Sequence, residues 1–133
     1  MFIDRLMNQT SGPLLERYLK FSEARDKLLK ENLANVDVPG YRYKDLSESK
    51  FIAHLRERAA QRASSTPGSV GFDDIDSDQE NPAAGILFHD QNNRSMEKLM
   101  SDISKNGMQY TMAIELLKKQ YSQMEMALRE RVS

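Results

Sequence analysis

The residues best suited to chemistry lie in the middle of the chain. Asp74, Asp76 and Asp78 stand at alternate positions, the spacing of the first three ligands of a calcium-binding loop. Such a loop needs glycine at its sixth position and a bidentate glutamate at its twelfth, and here those positions hold Gln79 and Gly85. A solvated acidic loop is the better reading. His89 and Asp90 have the types of a base and its orienting carboxylate. The other histidine, His54, belongs to a separate segment, and nothing assembles the two into a triad or a metal site. With no cysteine in the chain, thiolate zinc sites, disulfides and thiol nucleophiles are excluded. No glycine-rich phosphate loop, GxSxG or HExxH is present. The expectation is a protein that is not an enzyme, with no catalytic, cofactor-binding or metal residues.

Charge points away from nucleic acid and from anionic membranes. The 133 residues carry a net charge of −1. Residues 1–35 hold six Lys/Arg against five Asp/Glu, residues 93–133 seven against five, and residues 36–92 six against ten. The ends are balanced and the middle is acidic, which is no binding footprint. Met1-Phe2-Ile3-Asp4-Arg5 leads into no apolar run of signal-peptide length, and no stretch approaches a membrane span. Direct membrane insertion is not expected, and export, if it occurs, uses no cleavable signal.

What positions the rest is a pair of terminal helices. Met96, Met100, Ile103, Gly107, Tyr110, Ile114, Leu117, Tyr121, Met124 and Leu128 follow alternating steps of four and three, and nine of the ten are apolar or aromatic. A repeat of 3.5 sustained over almost five heptads is the pattern of a left-handed coiled-coil seam. It predicts a helix over 93–131 and leaves Met108, Met112 and Met126 off the seam. At the other end, Leu14, Leu15, Tyr18, Leu19, Phe21, Leu28, Leu29 and Leu33 share one broad helical face, interrupted between Ser22 and Lys27. Ser11 is the candidate N-cap of this helix, with Pro13 in its first turn. The predicted span is 11–35.

The segment between, 36–92, reads as a turn and a flexible insert. Phe51, Ile52, Leu55 and Ala59 predict a short amphipathic helix after Ser47 or Ser49. Residues 64–85 contain no Lys or Arg and three large apolar residues, Val70, Phe72 and Ile75, too few to offset their ordering entropy. Ile86-Leu87-Phe88 could form a short strand or a contact under the long helix. Two amphipathic helices and a loose insert leave little core, so part of the stability is expected from neighbours. The expected fold is mainly α: one unit, 1–133, in which two long terminal helices form an antiparallel coiled coil joined by a partly disordered insert.

The N-terminal helix stops at Leu33-Ala34-Asn35-Val36-Asp37-Val38-Pro39-Gly40-Tyr41-Arg42. Pro-Gly favours a type II turn, because glycine takes φ > 0 without a steric penalty. Val38 precedes proline and is pushed to extended backbone. Asn35 tolerates a left-handed helix end. On physical grounds this is a helix stop followed by a rigid turn.

Its wording closely resembles the signature of the flagellar rod and hook (axial) protein family. The matching residues are Leu33, Ala34, Asn35, Pro39, Gly40, Tyr41 and Arg42, and Val38 stands where threonine is usual. The order of helix, turn, insert and heptad helix is also that family's. The start at Asn92-Asn93, the Asn106 and Tyr110 pair and the run Met112-Ala113-Ile114-Glu115-Leu116-Leu117 are most similar to its proximal-rod members, with Arg94-Ser95 replacing the usual Val-Asp. The resemblance implies a structural subunit of the proximal rod of the flagellar basal body, exported unfolded by the type III apparatus without a signal peptide. It implies a helical homo-oligomer in the periplasmic rod. Its partners would be other rod subunits, the basal-body adaptor, and ring or export-gate proteins, with no nucleic acid. The turn residues would form the assembly motif, and Met96, Met100, Ile103, Tyr110, Ile114, Leu117, Tyr121, Met124 and Leu128 the coiled-coil seam. The competing readings are another rod subunit of the same family and a cytoplasmic helical export chaperone or adaptor. The chaperone has no reason to carry the turn.

Overall fold

The computed structural model describes residues 11–41, 43–66, 69–71 and 92–132, with the side chains of its last helix from Met96 onward. Regular structure among these residues is helical: α1 (Gly12–Ala34), α2 (Glu48–Ser64) and α3 (Asn92–Val132). At 41 residues α3 is about 60 Å long. The expected strand at Ile86-Leu87-Phe88, the three aspartates of the insert and most of residues 64–85 lie outside the described residues.

Helix α1 starts as its first residues dictate, with Pro13 in the opening turn where a missing N–H is harmless. Ser11 occupies the N-cap position, but its side chain makes no capping hydrogen bond, so the expected hydroxyl cap is absent. The backbone begins the helix instead, with Leu15 N–H donating to the Ser11 carbonyl over 3.0 Å. Helix α2 is capped by Ser47, one of the two serines after which it was expected to begin. The Ser47 hydroxyl accepts from the Lys50 N–H, Glu48 sits in the first turn and Arg62 in the last, both favourable to the helix dipole. It extends over 17 residues, longer than the short helix expected of the insert.

The core lies on α1, which is covered from two sides. On one side Phe21 packs with Leu46, Phe51 and Leu55, bordered by Leu14, Tyr18, Ala24 and Leu28. The Phe21 and Phe51 rings stack with centroids 4.1 Å apart and planes 9° apart. Phe51 and Leu55 are one turn apart on α2, so a single face delivers both, and each burial is worth about 2 kcal/mol. On the other side α1 meets α3 in the main helix–helix contact among the described residues. Residues late in α1 meet residues early in α3. The Asn106 carboxamide donates to the Ser22 carbonyl over 2.9 Å, and the Tyr121 hydroxyl hydrogen-bonds the Glu16 carboxylate.

The interruption in the α1 stripe holds a buried cation. Arg25 is 9% exposed, and its Nε and Nη2 donate to the two oxygens of Asp45 over 2.9 and 3.2 Å. Its Nη1 donates to Glu48 Oε2 over 3.2 Å. Burial disfavours the charge, but Asp45 first and Glu48 second outweigh it, so the guanidinium pKa lies above its ordinary value. Such bidentate pairing fixes both angle and distance. It therefore anchors the segment before α2, and the first turn of α2, to α1. Arg25→Ala should lower the unfolding free energy by about 2–3 kcal/mol, since it leaves two carboxylates at a half-buried site without their cation. Asp45→Asn, which keeps an acceptor, should have a smaller effect. Chemical denaturation measures both, and an Arg25→Ala chain as stable as the parent would mean the cluster contributes no net stability.

Candidate functional site

Among the described residues no three His, Asp or Glu side chains gather where a metal ion could sit, and no helix is long and apolar enough to cross a membrane. His54 is exposed on α2, and His89 lies outside the described residues. What the structure brings together is mechanical: the turn after α1 and the face that α3 turns to α1.

The turn forms a hook. Val38, Pro39, Gly40 and Tyr41 make a tight reversal closed by Tyr41 N–H to the Val38 carbonyl at 3.3 Å. Gly40 has φ +77°, and no other described residue has positive φ. Proline at the second position and a positive-φ glycine at the third are the type II arrangement. Asn35 is not left-handed, as its tolerance allowed, but has φ −107° and ψ 15°. Its side chain explains why: Nδ2 donates to the Glu31 carbonyl over 2.8 Å, and its own N–H reaches the Glu31 and Asn32 carbonyls. The helix end is thus satisfied without a left-handed residue.

Leu33 is half-buried, Ala34, Pro39 and Gly40 are exposed, and Arg42 lies outside the described residues. The rings of Tyr41 and Tyr43 meet edge to face at 6.2 Å. The chain is then pinned back by a residue that the motif does not include. Asn32, buried in the last turn of α1, donates from Nδ2 to the Lys44 carbonyl over 2.6 Å and accepts from the Lys44 N–H over 3.0 Å. One carboxamide satisfies both backbone groups of a residue 12 positions away. Neither Asn32 nor Arg25 stood out in the sequence, although a cation inside an apolar stripe was a usable signal.

The face of α3 departs from the expected seam by about one residue. Its innermost positions are Leu99, Asn106 and Ala113, spaced by heptads. Met96, Ile103, Tyr110, Ile114, Leu117, Met124 and Leu128 are half-buried around them, whereas Met100, Gly107 and Tyr121 are exposed. The apolar pattern favoured Met100 and Tyr121 over an asparagine and an alanine, and a polar side chain with a partner and a small one can both lie innermost. Tyr121 still touches α1 through its hydroxyl, and the Glu16 carboxylate that accepts from it raises its pKa above the ordinary tyrosine value. Burial, then the charge of Glu48, raises the pKa of Tyr18 as well.

Away from α1, α3 exposes Met108 (73%), Met112 (66%), Leu116 and Met126. The first three are four residues apart, and Met126 lies five full turns beyond Met108, so they form one stripe. Unbranched thioether side chains suit contacts with neighbours of differing shape.

The turn geometry is directly testable. An added Cβ at Gly40 meets no atom within 4 Å, so the penalty on a substitution is backbone conformation alone. Gly40→Asn should be nearly as stable as the parent, while Gly40→Val should lose about 1–2 kcal/mol in denaturant unfolding. Equal stability of all three would mean that the turn does not hold φ > 0.

No protein-family model matches the chain, and no solved structure matches it. A curated relative does. The chain is 25% identical over 126 residues to the flagellar basal body rod protein FlgB of Bacillus subtilis (strain 168), covering 92% of this chain and 97% of that protein. The resemblance carried by Leu33 to Arg42 and this match over nearly the whole of both chains point the same way: the chain is similar to the flagellar rod protein FlgB.

Proposed function

We propose that this chain is a structural subunit of the proximal rod of a bacterial flagellar basal body. The observation that carries this reading is the similarity to FlgB along nearly the whole length of both chains, the hooked turn included. In this reading α1 and α3 form an antiparallel coiled coil, and the subunit polymerises helically through its terminal helices. Its neighbours are copies of itself, other rod subunits, and the adaptor and ring or export-gate proteins at the rod base. The chain reaches the periplasmic rod through the type III apparatus.

Two features of the molecule support a structural role over a catalytic one. Among the described residues the buried polar ones, Ser22, Arg25, Asn32 and Asn106, all lie where elements of the chain meet. Met108, Met112, Leu116 and Met126, four of the large apolar side chains left exposed among the described residues, lie in a row on the longest helix. A row of that kind on a soluble surface marks a protein contact. Its role here is to pack against the next subunit, while the opposite side of α3 holds α1.

Complementation of a strain lacking this gene tests the proposal. Met108→Glu with Met112→Glu adds charge where no described neighbour is contacted, so helicity and thermal stability should be kept while rods and motility are lost. Ile114→Asp, on the side toward α1, should lose helix pairing and rods together. Normal rods with the double glutamate variant would remove the stripe from the assembly surface. Normal rods and motility without the gene would overturn the structural role itself.

A further inference from the structure

We propose that Asn106 sets the register in which α3 lies along α1. It is 2% exposed, and its Nδ2 donates to the carbonyl of Ser22, itself 1% exposed and 84 positions away in sequence. Seven residues to either side on α3 stand Leu99 and Ala113, also buried, so the innermost row reads Leu, Asn, Ala. Seven residues to either side of Ser22 on α1 stand Leu15, half-buried, and Leu29, fully buried. Ser22 is thus a small residue between two large ones, and it leaves its own carbonyl open to a side chain from the facing helix.

The apolar layers do not discriminate between registers to the same degree. Leucine, isoleucine, methionine and alanine can exchange places after a slip of one heptad, about 10 Å along the axis, because the repeat returns each to an apolar layer. Methionine in particular repacks readily. Asn106 cannot slip without loss. One heptad in either direction sets its carboxamide against the Leu29 or Leu15 layer, where the leucine side chain fills the approach and a buried amide goes unpaired. That amounts to at least about a fivefold preference for the native register. A single buried asparagine in an apolar seam fixes alignment by this mechanism, at some loss of stability relative to an apolar residue. The inference does not depend on the rod assignment. It applies to any setting in which α3 must protrude by a fixed length.

The chain has no cysteine, so two introduced ones can carry spin labels without background. Lys20→Cys on α1 and Gln123→Cys on α3 are both at exposed positions. They are offset along the pair, so a slip changes their separation by close to the full 10 Å or so. The full-length chain with Asn106 intact should give one narrow distance by pulsed electron resonance. Asn106→Leu should keep its helicity and melt no earlier, yet show a second distance displaced by about 8–10 Å. Ser22→Leu, which closes the opening from the other side, should also abolish the single native distance. One unmoved distance in both variants overturns the proposal, with or without a change in melting, because Asn106 would then be a stabilising contact alone. Loss of helix in Asn106→Leu also counts against it, since leucine leaves an apolar pairing surface whole.

Discussion

The hydrogen bond from Asn106 to the Ser22 carbonyl joins two helices that the chain separates by 84 positions, and both partners are almost fully removed from water. A carboxamide buried without a partner would cost about 1–3 kcal/mol, so it constrains where α3 can lie on α1. With α3 held there, the other side of α1 is left for Phe21 to stack on Phe51 and for Arg25 to bind Asp45 and Glu48. The link segment and α2 follow, because Asp45, Glu48 and Phe51 are anchored on α1. Helix α1 is therefore the central element, although α3 is nearly twice as long.

How much of this could be read in advance depends on how local the cause is. The turn at Val38 to Tyr41 was legible, because proline and glycine fix their own dihedral angles whatever surrounds them. The start of α2 was legible to within two residues, at Ser47 or Ser49, because a serine hydroxyl caps the helix that follows it. The Asn35 helix end was less so, since its side chain had two ways to satisfy the carbonyls and took the one that needs no left-handed backbone. The phase of the α3 face was misjudged through Met100 and Tyr121, which are apolar or aromatic in the right rhythm yet exposed. Asn106 and Ala113 took the inner positions because one has a carbonyl to bind and the other is small. The pins at Asn32 and Arg25 were harder to read: a cation inside the apolar stripe of α1 was a signal, but what it binds was not. Their partners stand 12 to 23 positions away, and nothing in the order of residues says which of many charges and amides will meet.

The same economy of contacts bears on function. Buried polar groups are spent on fixing the angle and offset of elements, and the described apolar core is small. A subunit that must join a polymer needs a defined shape more than a large core, because neighbours supply further burial. The Met108, Met112, Leu116 and Met126 row is the surface through which that burial would come, and the similarity to FlgB gives the setting in which it is proposed to occur.

The account stands or falls on the direction in which α1 and α3 pair. Fluorophores placed at position 16 in α1 and at either 97 or 118 in α3 measure it by energy transfer in the full chain, since the two α3 sites are about 30 Å apart along the helix. Antiparallel pairing predicts that position 16 is near 118 and far from 97. A label at 16 that transfers more strongly to 97 than to 118 would contradict the pairing and the assembly built on it.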